Sequence, residues 1–270
     1  MMKFIILFII IVSTASGAIW FLNESNQLEV TYHRLEWAEK SNDQLRISQL
    51  SDLHVSGDSK IEESVIQAIN KENPDILLLT GDMVDRPTKL SALDSFLGRL
   101  VGGAARFAIL GNWEYWSGLD IRMLRQIYTR HRITLLINDS VLLQKETKRL
   151  LLVGLDDALA GKPDWNAALA SHRNWTGPTL VLAHNPITIE HLGSTLRPDL
   201  SGLALAGHTH GGQIVLFGVP IETSTRHATC LAGWCQKGGW SLYVSRGIGT
   251  SIVPLRLGAR PELPMLTWMW

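Results

Sequence analysis

The sequence predicts an α/β fold with a largely parallel sheet, and three observations carry that expectation. Short apolar runs alternate with amphipathic stretches through the first half of the 270-residue chain, the pattern of βαβ units. The last stretch is rich in strand-forming residues and is broken by glycine and proline too often for long helices. Five of the apolar runs end in Asp, Asn or His, which is where open α/β sheets place their sites.

The elements follow in order. Residues 28–37 partly alternate apolar and polar and predict an opening strand. Residues 45–50 predict a strand that delivers Asp52 and His54, and 61–70 an amphipathic helix. Residues 75–80 form a buried strand ending at Asp82, followed by a helix over 90–100. The strand over 106–110 delivers Asn112, and a third helix covers 119–130. Residues 141–144 and 149–153 read as a hairpin turning at 145–148, with Asp156 and Asp157 after it. Residues 179–183 deliver His184, and 203–206 deliver His208 and His210. Strands over 213–217, 241–245 and 265–268 complete two packed sheets flanked by helices.

Composition narrows the function classes. Positive and negative side chains balance at 25 each, so nothing suggests a nucleic-acid-binding surface, which needs a basic excess. Residues 1–23 stand apart from the domain over 24–270, because the run from Phe4 to Leu22 carries no charge and no polar face. As a helix it would reach about 28 Å, close to the thickness of a bilayer's hydrocarbon. It is either a membrane anchor, with Trp20 and Phe21 at the interface, or a signal peptide cut near Ala15-Ser16-Gly17-Ala18. Lys3 before the run predicts a single pass with the domain outside the cytoplasm, or a secreted or periplasmic domain after cleavage. Cys230 and Cys235 are either a small-loop disulfide or two free thiols.

The chemistry lies in five ordered runs: Asp52-Leu53-His54, Gly81-Asp82, Gly111-Asn112, Ala183-His184-Asn185-Pro186 and Gly207-His208-Thr209-His210-Gly211-Gly212. Together they offer seven oxygen and nitrogen ligands and no sulfur, which suits two divalent ions sharing a carboxylate. Asp82 is the candidate bridge, since an anionic oxygen across two cations offsets their repulsion. Asp52, His54 and one His of the Gly-His-Thr-His run complete one ion, and Asn112, His184 and the other His complete the second. Mixed oxygen and imidazole ligands suit Mn, Fe or Zn. Such a pair lowers the pKa of a bridging water and stabilises an in-line displacement at phosphorus.

On these runs the chain resembles the calcineurin-like metallophosphoesterase superfamily over nearly everything after the N-terminal segment. The resemblance implies a four-layer α/β/β/α sandwich. It implies that Asp52, His54, Asp82 and His210 hold the first metal, and Asp82, Asn112, His184 and His208 the second. Gly211-Gly212-Gln213 and the run from Tyr243 to Ser251 resemble a branch of bacterial membrane-associated or secreted phosphodiesterases. Some members of that branch act on lipid-linked pyrophosphates.

One position departs from the family pattern, which has His and then an acidic residue after Asn; here Trp113-Glu114 follows Asn112. The resemblance implies that this His protonates the leaving group, and an indole N–H cannot titrate in its place. Glu114, another residue or water replaces it, or the range of substrates narrows. Trp113 either stacks on an aromatic or sugar part of a substrate or packs its loop; Arg246 either binds a phosphate oxygen or forms a structural ion pair. Asp156 and Asp157 suit a turn, and His33, His131, His172, His191 and His227 fit no ligand pattern. The expected function is a two-metal phosphodiesterase of the cell envelope. The alternatives are a pyrophosphatase of a lipid-linked nucleotide of the UDP-diacylglucosamine type, and a non-catalytic metal-binding envelope protein.

Overall fold

Strands that are apolar on both faces must be covered on both sides, and the strands here have that pattern. The computed structural model describes residues 24–36, 44–145, 148–192, 202–221, 228–237 and 239–269. To residue 135 the elements are β1 (Glu29–Glu36), β2 (Gln44–Leu50), α1 (Lys60–Glu72), β3 (Ile76–Thr80), α2 (Leu90–Gly98), β4 (Ala105–Ile109), α3 (Asn112–Trp116), α4 (Ile121–Arg130) and β5 (Ile133–Leu135). There follow β6 (Asp139–Lys145), β7 (Lys148–Gly154), α5 (Trp165–Ala168), β8 (Thr179–Leu182), α6 (Ile187–Leu192) and β9 (Gly202–Ala206). The last strands are β10 (Val215–Leu216), β11 (Val219–Pro220), β12 (Gly233–Lys237), β13 (Trp240–Val244) and β14 (Glu262–Met269).

Two six-stranded sheets result, ordered β1-β14-β2-β3-β4-β5 and β12-β13-β9-β8-β7-β6. The strands β2 to β5 are parallel, as are β7, β8, β9 and β13. Side chains alternate across each sheet. Ile76 and Leu78 of β3 meet Leu150 and Leu152 of β7 in the core between the sheets. Their neighbours Leu77 and Leu79 face Val65 and Ile69 of α1 and Leu93 and Phe96 of α2. On the outer side of the second sheet, Leu151 and Val153 pack with Trp165 of α5 and Ile189 of α6. The layers are therefore α/β/β/α, as the resemblance implied.

The departures from the sequence reading are local. The expected strand over 213–217 shrinks to the two residues of β10, because Phe217 and Gly218 turn the chain at φ 51° and 81°. The third helix starts at Ile121, since the Asp120 side chain caps it by accepting from the Arg122 N–H. The elements β5, β11, β12, α3, α5 and α6 are additions, all of six residues or fewer. The β6–β7 hairpin pairs as expected, with its turn residues 146–147 outside the described residues. Residues 1–23, residue 37 and His227 also lie outside them. Among the described residues no helix is long and apolar enough to cross a membrane. Cys230 and Cys235 form a disulfide, so the open question of their pairing closes on the bonded form.

Candidate metal centre

Parallel strands present the same end to the same side, so the loops that leave β2, β3, β4, β8 and β9 gather at one edge. Those loops turn abruptly. Asp52, His54, Asp82, His208 and His210 all have left-handed backbones, with φ between 43° and 69°. A non-glycine residue in this region costs on the order of 1–3 kcal/mol and persists only when its surroundings enforce it. Glycines let the loops approach one another. A Cβ on Gly111 would stand 2.3 Å from Asp82 Oδ1, and one on Gly207 would stand 2.4 Å from Asp52 Oδ2.

Six of the seven expected ligands form two groups. Asp52, His54 and His210 make one; Asp82, His184 and His208 make the other. Within each, one ligand atom per residue lies within 4.8 Å of the others. Asp82 joins the groups. Its Oδ1 accepts the Trp113 N–H at 2.9 Å, while Oδ2 lies 3.1 Å from His184 Nε2 and 3.8 Å from His54 Nε2. Asp52 is oriented by the Ser51 hydroxyl at 2.6 Å and the His208 N–H at 3.0 Å. His184 Nδ1 meets the Thr80 carbonyl at 2.8 Å, turning Nε2 to the centre. The buried Arg256 donates to His210 Nδ1 at 3.0 Å and to its carbonyl at 3.2 Å. A guanidinium only donates, so Nδ1 accepts and Nε2 faces Asp52 Oδ1 at 3.5 Å. Asn112, the seventh, opens α3 directly after Gly111.

Burial and charge prepare these groups. Burial raises a carboxyl, but the His184 and His54 imidazoles outweigh it and hold Asp82 at about 2. Burial lowers His208 to about 4, helped by His184, and takes His210 well below its ordinary value. Neutral imidazole is the ligand form. His184 goes upward against its burial, drawn by Asp82, Asp52 and Asp157.

The fit to cations rests on orphaned atoms. His54 Nε2, Asn112 Oδ1, His184 Nε2 and His208 Nδ1 are all buried without a hydrogen-bond partner. Leaving one such atom unpaired costs about 1–3 kcal/mol. Four of them on four candidate ligands is what residues shaped for cations present.

A cleft of about 340 Å³ opens beside His54, lined by Trp113, Arg86, Lys89 and the segment 250–254. Trp113 sets its ring edge to face with His54, 6.1 Å between centroids. Arg86 and Lys89 escaped the sequence reading. The signal that finds them is a basic pair in the loop just after the candidate bridge Asp82. Arg246 is engaged elsewhere, with Glu29 at 2.7 Å and Glu262 at 3.3 Å. Glu114 is buried, and its carboxylate accepts the N–H groups of Gly111, Asp82, Met83 and Val84 at 2.7–3.3 Å. It ties two ligand loops together and does not line the cleft. Asp157 caps a turn through the N–H groups of Leu159 and Ala160. His33, His131 and His172 contact Trp234, Asp94 and Ser140, outside both ligand groups.

Residues 45–212 match the family model of the calcineurin-like phosphoesterases. The chain is 31% identical to YkuE of Bacillus subtilis, an uncharacterized metallophosphoesterase, over 94% of this chain and 91% of that one. It is 33% identical to the phosphodiesterase YaeI of Escherichia coli, over 90% and 89%. Among solved structures, the sulfate thiohydrolase SoxB of Thermus thermophilus superposes with a TM-score of 0.53 at 10% identity, over 83% of this chain and 56% of that one. That last likeness is one of fold alone.

Proposed function

This chain belongs to the calcineurin-like phosphoesterase family, and we propose that it is a phosphodiesterase that works with two divalent ions sharing Asp82. The observation that carries the reading is the pair of ligand groups joined at Asp82 Oδ2, with orphaned buried atoms on four of the seven candidate ligands. Asp52, His54, Asp82 and His210 would hold one ion, and Asp82, Asn112, His184 and His208 the other. Mn, Fe and Zn suit these donors. When bound, such ions supply an acidified water as nucleophile and neutralise phosphoryl charge.

The chain's own residues do the rest. The Trp113 N–H fixes Asp82 so that its other oxygen faces both groups. Arg86 and Lys89 line the cleft together with Asp85, 3.9 Å from Arg86 Nε, and the net positive charge they leave there favours phosphoryl oxygens. The Trp113 indole gives the cleft an apolar wall and no titrating proton. Esters whose leaving groups depart readily as anions are therefore favoured. The name of the relative YaeI supports diesters over monoesters. The domain sits outside the cytoplasm in this reading, tethered or exported by residues 1–23; the Cys230–Cys235 disulfide supports an oxidising compartment.

The test is hydrolysis of bis(4-nitrophenyl) phosphate by metal-stripped protein with and without added Mn. Activity that appears with Mn and is absent from Asp82→Ala is expected. A folded, metal-loaded wild type without activity would overturn the reading.

A further inference from the structure

The hairpin of β10 and β11 exposes apolar side chains in an unusual concentration. Leu216, Phe217, Val219 and Ile221 are 39, 104, 64 and 54% exposed, and no charge lies between residues 214 and 221. Single exposed apolar residues need no explanation, but a contiguous set marks a contact surface.

The hairpin is built onto the candidate centre. It begins three residues after the turn His210–Gly212, and a Cβ on Gly212 would meet Pro220 of β11 at 2.8 Å. The buried Gln213 side chain donates to the carbonyls of Ser251 and Val253 and accepts the Ser251 N–H, all within 3.0 Å. Between those two residues Ile252, 80% exposed, stands on the wall of the cleft. Cleft rim and hairpin base are thus one bonded unit.

The same unit receives the start of the described chain. The Val215 N–H donates to the Leu257 carbonyl at 2.7 Å. On either side of Leu257, the Arg256 N–H donates to Ser25 Oγ at 2.7 Å and the Gly258 N–H to Glu24 Oε1 at 3.2 Å. The uncharged run over 4–22 ends two residues before Glu24. Glu24, Ser25 and the hairpin therefore join the fold across one short segment, 256–258.

We propose that the hairpin tip, with Ile252, seats in the lipid face of the bilayer that takes the N-terminal run, and turns the cleft toward that bilayer. An uncharged apolar tip beside the root of a membrane-length run fits lipid. Among the described residues 214–221, no charged side chain offers the polar rim that a protein partner would use. The substrate would then be a phosphoester carried in the membrane. That consequence rests on the phosphoesterase reading; the docking does not.

The test uses the full chain in phospholipid vesicles. The two cysteines are bonded to each other, so a cysteine introduced by Phe217→Cys takes a polarity-sensitive fluorophore alone. Val101→Cys is the control, exposed at the opposite end of the strands, before β4. The label at 217 is expected to shift to the blue and to be quenched by spin-labelled lipid, while the label at 101 is quenched by aqueous iodide. A water-like label at 217 overturns the proposal. So does a shielded label that lipid spins do not quench, which would mean that a second copy covers the tip. In a second arm, Phe217→Asp with Val219→Asp should leave hydrolysis of the soluble aryl diester unchanged. Turnover of an aryl phosphodiester lipid in vesicles should fall about tenfold, as two large apolar side chains lose their burial. Equal rates with wild type on the vesicle substrate would overturn the orientation of the cleft. A wild type inactive on both substrates would sink the phosphoesterase reading, and the labels alone would then decide the docking.

Discussion

Two side chains decide most of the proposed chemistry at the residue scale. Asp82 faces both ligand groups with one oxygen, because its other oxygen is held by the Trp113 N–H. Trp113 in turn lines the cleft where the resemblance implies an acid. Replacing that indole by a titrating group should matter most where the leaving group is a poor anion. Trp113→His is expected to raise turnover of alkyl phosphodiesters by up to about 10²-fold and that of aryl diesters much less. Initial rates on matched alkyl and aryl substrates check this, and equal or lower rates on both would refute it. The candidate ligands were legible in the sequence because they follow apolar runs with short polar or imidazole side chains. Arg86 and Lys89 were not, because a loop that lines a cleft has no periodicity to betray it. Arg246 was ambiguous until Glu29, 217 positions away, and Glu262, 16 positions away across a loop, appeared beside it.

At the scale of elements, α3 shows what local reading misses. It has five residues, too few for a periodic signal, yet it carries Asn112 into the centre and Glu114 beneath it. Glu114 looks from the sequence like a replacement acid and is a brace, since its carboxylate takes N–H groups from the loops at 81–84 and 111. Glu114→Ala would bury those donors unpaired and should cost about 2–4 kcal/mol. Glu114→Gln keeps an acceptor and should cost about half as much. Urea unfolding midpoints of the two variants test the ranking; a Glu114→Ala protein as stable as wild type would contradict the brace. The Cys230–Cys235 disulfide closes a short loop leading into β12. Its removal by Cys230→Ala with Cys235→Ala should cost about 2 kcal/mol on loop entropy. Thermal unfolding with and without reductant reads that loss in the wild type, and no change in Tm would argue against it.

The whole molecule explains why the two ligand groups meet. Each sheet contains a parallel run of four strands, several of whose ends carry candidate ligands, and packing the sheets face to face brings those ends together. Layering and the βαβ order follow from hydrophobic patterning and were readable. The placement of β14 was not: it lies between β1 and β2, parallel to one and antiparallel to the other. Pairing across more than 200 positions leaves no local trace in a strand whose residues are mostly buried. The proposed mechanism requires the two groups to act as one binuclear centre through Asp82. The direct measurement is the metal content of Mn-loaded wild type and Asp82→Ala, by plasma mass spectrometry after gel filtration, with circular dichroism to confirm folding. Two ions per chain in the wild type and neither retained in folded Asp82→Ala is the predicted result. Two tightly held ions in Asp82→Ala would contradict the shared carboxylate and the mechanism built on it.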